Sequence, residues 1–66
     1  MELHVNGQTR QFEPPMTLLA LLREAGLNER RIAVEVNQEV IPRSRHADHV
    51  LSDGDRIEII QAIGGG

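Results

Sequence analysis

Arg56-Ile57-Glu58-Ile59-Ile60-Gln61-Ala62-Ile63 is the most strand-like stretch of the chain, and Gly64-Gly65-Gly66 follows it directly. Its branched aliphatic residues and period of two predict a β-strand. The alternation turns Ile57 and Ile59 inward and Arg56 and Glu58 outward. Ile60 and Ala62 then fall on the outward side. Such a strand is either buried on both faces at that end or exposes an apolar patch beside the glycines. Only one helix is predicted to cover the sheet, so the exposed patch is expected. Asp53-Gly54-Asp55 supplies the turn that opens the strand.

Working outward from this strand, Ile32, Val34 and Val36 alternate and predict another. Asn37-Gln38 is a weak turn signal, and Glu39–Ile41 reads as a short return strand ended by Pro42. Arg43–Ser52 has no clean period; Val50 and Leu51 are expected to close over the core from a loop or a single helical turn. At the other end Met1, Leu3 and Val5 alternate with Glu2, His4 and Asn6. Asn6-Gly7 favours a type I′ turn, so Met1–Glu13 reads as a hairpin with Phe12 turned inward. Thr17 is an N-cap candidate. Leu18, Leu21, Leu22 and Ala25 recur at helical spacing, and Gly26 suits the left-handed position past the end. Arg23 and Glu24 face water. The order is hairpin, helix, strand, short strand, irregular crossing and final strand. It predicts an α+β fold of β-grasp type: a mixed four- to five-stranded sheet with one helix packed across it and the last strand beside the first.

Composition narrows the function. Sixty-six residues allow one small domain, residues 1–63, with residues 64–66 as a flexible C-terminal tail. Little core is spare for a deep active-site pocket, so size favours a binding or carrier module over an enzyme. Seven arginines and no lysine against ten carboxylates leave a net charge of −3, which argues against nucleic acid as a partner. The longest apolar run, Leu18–Leu22, is far short of the ~20 residues of a membrane span. Nothing reads as a secretory signal, so a cytoplasmic location is expected. The absence of cysteine excludes disulfides, cysteine-type zinc sites and thiol nucleophiles.

Catalytic motifs are missing. Ser44 and Ser52 lack a nucleophile-elbow context. His46 and His49 form an H-x-x-H pair with no third ligand fixed by the sequence, so they read as two exposed loop histidines rather than a metal site. Asp53 and Asp55 read as turn residues. No catalytic residue and no metal ligand is expected.

The tail stands apart. Gly64, Gly65 and Gly66 give the terminal carboxylate an arm without Cβ atoms, free to take either sign of φ and to enter a channel too narrow for side chains. The strand aims this arm outward, and Ile60, Ala62 and Ile63 would form the docking patch beside it.

Together these residues resemble the small sulfur carriers of thiamin biosynthesis, the ThiS family. The resemblance covers nearly the whole chain. It rests on the Asn6-Gly7 hairpin, Asn37-Gln38-Glu39-Val40-Ile41-Pro42-Arg43-Ser44, Leu51-Ser52-Asp53-Gly54-Asp55-Arg56-Ile57-Glu58-Ile59, and the closing Gly64-Gly65-Gly66. Many members carry Trp where this chain has His46. The resemblance implies a ubiquitin-like β-grasp that binds no cofactor of its own. It also implies that an ATP-dependent activating enzyme adenylates Gly66. A sulfur-donating persulfide protein then supplies the sulfur, and thiazole synthase receives it from the Gly66 thiocarboxylate. The chain would be a co-substrate, not a catalyst. Two related readings are the sulfur-carrying small subunit of molybdopterin synthase, which tends to be longer and to lack the Pro-Arg-Ser segment, and a ubiquitin-like modifier. A plain interaction domain with an inert tail is the third.

Overall fold

In the computed structural model, which describes residues 1–28 and 30–61, two hairpins flank one central strand. β1 (Glu2–Val5) and β2 (Gln8–Gln11) are joined by Asn6 and Gly7, whose φ angles are 49° and 81°. Both angles are left-handed, as a type I′ turn requires. Its register sets Leu3 opposite Arg10 and Val5 opposite Gln8. Leu3 is fully buried, and Phe12, just past β2, is half-buried against the core.

β3 (Ile32–Val36) and β4 (Glu39–Val40) form the second hairpin. Its turn residues, Asn37 and Gln38, take φ of 52° and 70°, a left-handed pair that residues with a Cβ adopt reluctantly, Asn less so than Gln. Tertiary bonds hold it. The Asn37 side-chain Nδ2 donates to Asp55 Oδ1 at 2.9 Å, and its Oδ1 accepts the Arg56 N–H at 3.0 Å. The hairpin thus depends on the segment that opens the last strand, which explains why its own sequence signals it weakly.

That last strand, β5 (Arg56–Gln61), lies at the centre of the order β2-β1-β5-β3-β4, parallel to β1 and antiparallel to β3. Among the described residues the architecture is a five-stranded mixed sheet with one α-helix, the β-grasp arrangement. Of the predicted strand Arg56–Ile63, Ala62 and Ile63 lie outside the described residues. Ile57 and Ile59 point into the core, at 0% and 9% exposure.

α1 (Leu18–Glu24) contributes Leu18, Leu21 and Leu22 to the same cluster as Leu3, Val34 and Ile57. A seven-residue helix leaves most of its backbone groups near an end, so its orphan amides decide whether it forms. Thr17 Oγ1 accepts the Ala20 N–H at 3.1 Å, as expected of an N-cap. The Leu18 and Leu19 amides donate to the carbonyls of His49 and His46, at 2.8 and 2.9 Å. The crossing segment 43–52 is therefore a second cap, built from main chain.

Three expectations need correction. Ala25 is exposed and caps the C-terminus of α1 instead of extending its buried stripe. Val50 is 60% exposed, while its neighbour Leu51 is 4% exposed and fills the core alone. Val50 forms an isolated bridge to Thr17, and the Leu51 N–H donates to the Met16 carbonyl; this extended pairing sends adjacent side chains to opposite sides. His46 is not an exposed loop histidine. It follows the short helical turn Arg43–Arg45, is 5% exposed, and its Nε2 lies 2.9 Å from the Ile41 carbonyl oxygen. That hydrogen bond is what makes its burial tolerable.

Candidate functional site

The site is assembled at the outgoing end of β5. The Asn37 N–H donates to the Arg56 carbonyl at 2.8 Å, marking Asn37 and Arg56 as a hydrogen-bonded pair of the antiparallel β3–β5 ladder. Alternation makes Glu35–Glu58 and Ala33–Ile60 hydrogen-bonded pairs too. Ile60 therefore sits directly beside Ala33 on the face of the sheet opposite the core. It is 56% exposed, so the apolar patch expected at this position exists for Ile60. Ala33 is exposed beside it. Ala62, Ile63, Gly64, Gly65 and Gly66, the other proposed site residues, lie outside the described residues.

Ile60 and Ala33 line a shallow groove of ≈ 420 Å³ with Ile32, Arg31 and Arg43. The two arginines were not singled out from the sequence. Arg43 is oriented: its Nη2 donates to the Arg30 carbonyl at 2.6 Å and its Nη1 to the Asn28 carbonyl at 3.4 Å. It ties the 43–45 turn to the segment leading into β3 while its guanidinium remains exposed. A guanidinium keeps its charge across the physiological pH range. The groove thus offers an apolar floor with two arginines at its side, of which Arg43 is held in place, though the whole chain is net negative. The available signal was Arg43 in its Pro-Arg-Ser segment, but placing it near Ile60 requires the β3–β5 register.

The other candidates have structural roles. Asp53 Oδ1 accepts the Glu2 N–H at 2.6 Å, and Asp55 Oδ2 accepts the Ser52 N–H at 2.7 Å. Both aspartates organise the turn before β5, as its composition suggested. His46 faces Ile41 and not a shared ligand with His49. Among the described residues no group of three His, Cys, Asp or Glu side chains could hold a metal ion, and no helix is long and apolar enough to cross a membrane.

Comparison with known proteins places these features in a family context. Residues 3–66 match the model of the ThiS family. The chain is 33% identical over 66 residues to the sulfur carrier protein ThiS of Escherichia coli, with 100% of both chains covered. It is 47% identical over 66 residues to a thiazole synthase of Paramagnetospirillum magneticum, covering 100% of this chain and 20% of that protein. The chain thus spans about a fifth of the two thiazole synthases it matches. It superposes on the crystal structure of a thiamine biosynthesis protein (ThiS) from Geobacter metallireducens with a TM-score of 0.84, at 29% identity and with 100% of both chains covered.

Proposed function

The chain belongs to the ThiS family, and from that premise we propose that it carries sulfur for thiazole formation in thiamin biosynthesis, as a thiocarboxylate at Gly66. The observation that carries this reading is the family match running through Gly64-Gly65-Gly66, which follow in sequence a strand, Arg56–Gln61, anchored in the core. Residues 1–63 would act as the body that partners grip, and residues 64–66 as the arm that reacts.

The chemistry follows from the ends of the chain. A carboxylate is a poor electrophile, and an α-carboxyl is ionised at neutral pH. Attack of the Gly66 carboxylate on the α-phosphate of ATP, with pyrophosphate leaving, gives an acyl-adenylate. In this reading the step belongs to an adenylating partner. A persulfide sulfur then displaces AMP to form an acyl disulfide. A second thiol cleaves its S–S bond and leaves the thiocarboxylate. The chain has no cysteine, so it has no side chain on which to hold sulfur as a persulfide. The carbonyl end is its available carrier.

Ile60, with Ala62 and Ile63, would dock both the activating enzyme and thiazole synthase. Arg31 and Arg43 beside Ile60 favour partner surfaces that are apolar at the centre and acidic at the rim. Thiazole synthase as acceptor is supported by the matched thiazole synthases, in which a segment similar to this chain makes up about a fifth of the polypeptide. Reconstitution with ATP, an activating enzyme, a persulfide donor and thiazole synthase tests the proposal. Sulfur should reach the thiazole product with the 66-residue chain and not with a chain lacking Gly66.

A further inference from the structure

β5 loses one of its two neighbours before its described end. On the β1 side, the ladder pairs His4 with Arg56 and Val5 with Ile57, and it is flanked by the His4 N–H donating to the Asp55 carbonyl and the Asn6 N–H to the Ile57 carbonyl, each at 2.9 Å. The chain then turns away at Asn6-Gly7. The Asn6 side chain extends the ladder by one step, its Oδ1 accepting the Ile59 N–H at 2.7 Å. The next groups on that edge are the Ile59 carbonyl and the Gln61 N–H. Gln61 stands opposite Ile32 in a non-hydrogen-bonded pair of the β3–β5 ladder, so its N–H and C=O point away from β3. Among the described residues these groups have no main-chain partner. A Cβ built on Gly7, at the tip of the hairpin that leaves β5 uncovered, meets no atom within 4 Å.

The geometry points to strand addition: the β1-side edge of β5 at Ile59–Gln61 accepts an extended segment of the activating enzyme, resting on the carrier reading above. Main-chain donors and acceptors at strand spacing select an extended peptide over any other ligand class. A three-residue edge is too small to hold a second copy of the chain, since stable interfaces bury roughly 1,200 Å² or more. The occupant must therefore be held by other contacts as well, which the Ile60 groove supplies. Five residues follow Gln61 and reach at most about 17 Å, so an enzyme that adenylates Gly66 must bring its surface close to this edge. A ladder advances by two residues per hydrogen-bonded step. Pairing at Gln61 would fix the register of the arm and so determine which residue arrives at ATP.

The test compares Gln61→Pro, which deletes the N–H, with Gln61→Ala, which keeps it. A third, synthetic chain has the amide at Gln61 replaced by an ester, which removes the donor without a proline ring. Affinity for the activating enzyme and hydrogen exchange at the Gln61 amide are measured. Loss of one such bond corresponds to about tenfold in affinity. The proline and ester chains should bind about tenfold more weakly than the alanine chain, and enzyme binding should slow exchange of the Gln61 amide. Equal binding by all three with an unprotected Gln61 amide would overturn strand addition. So would protection by thiazole synthase or by self-association but not by the activating enzyme. Failure of the carrier reading would look different: the unaltered chain would not be adenylated at all.

Discussion

Asn6 and Ile59, 53 positions apart, are joined by a 2.7 Å hydrogen bond from the Ile59 main-chain N–H to the Asn6 side-chain oxygen. One residue thus does two jobs: its backbone takes the left-handed φ of 49° that turns the first hairpin, and its side chain fastens that turn to the strand leading to the glycine arm. Asn6→Gly keeps the turn but leaves the Ile59 donor unsatisfied, and should cost about 1–2 kcal/mol. Asn6→Ala adds the penalty of a Cβ at positive φ and should cost more. Denaturant unfolding measures both; an unchanged midpoint for Asn6→Gly would show that the bond contributes nothing net.

The cap of α1 gives a second prediction. Thr17→Ala removes the acceptor for the Ala20 N–H and should cost about 1 kcal/mol. Thr17→Ser should recover most of that loss. In a domain whose total margin is only ~3–10 kcal/mol by size, the difference is visible in thermal unfolding. Equal stability of the alanine and serine variants would contradict the cap.

Ile60 separates stability from recognition. Because it is 56% exposed, Ile60→Glu should change stability by less than ~1 kcal/mol. Binding to the activating enzyme and to thiazole synthase should weaken several-fold or more. A stable variant that binds both partners normally would remove Ile60 from the docking surface. A large stability loss would contradict its placement on the open face.

Gly65→Val tests the arm itself. A β-branched side chain there resists positive φ and widens the arm, so sulfur transfer should collapse while unfolding stays unchanged. Normal turnover would mean that no narrow channel encloses the arm.

Much of this was legible because the informative residues signal locally. Asn6-Gly7 announced its turn, Thr17 its cap, and the alternation of Ile57 and Ile59 the buried face of β5, leaving Ile60 outside. Errors fell where tertiary partners decide. Nothing near Val50 and Leu51 indicates which one turns inward; the bridge from Val50 to Thr17 does. His46 looked exposed because imidazole is polar, yet the Ile41 carbonyl makes its burial possible. Arg43 could not be brought to Ile60 until β3 was registered against β5. Gln38 would not be chosen for a left-handed turn on its own propensity; the bonds from Asn37 to Asp55 and Arg56 secure that turn.

The central claim is that sulfur is carried on the carbonyl carbon of Gly66. Intact-mass and fragment spectrometry of the chain, after incubation with ATP, an activating enzyme and a persulfide donor, tests it most directly. The account predicts replacement of one oxygen by one sulfur, confined to the fragment containing Gly66 and absent when ATP is withheld. An unchanged mass, or sulfur located on any other residue, would contradict it.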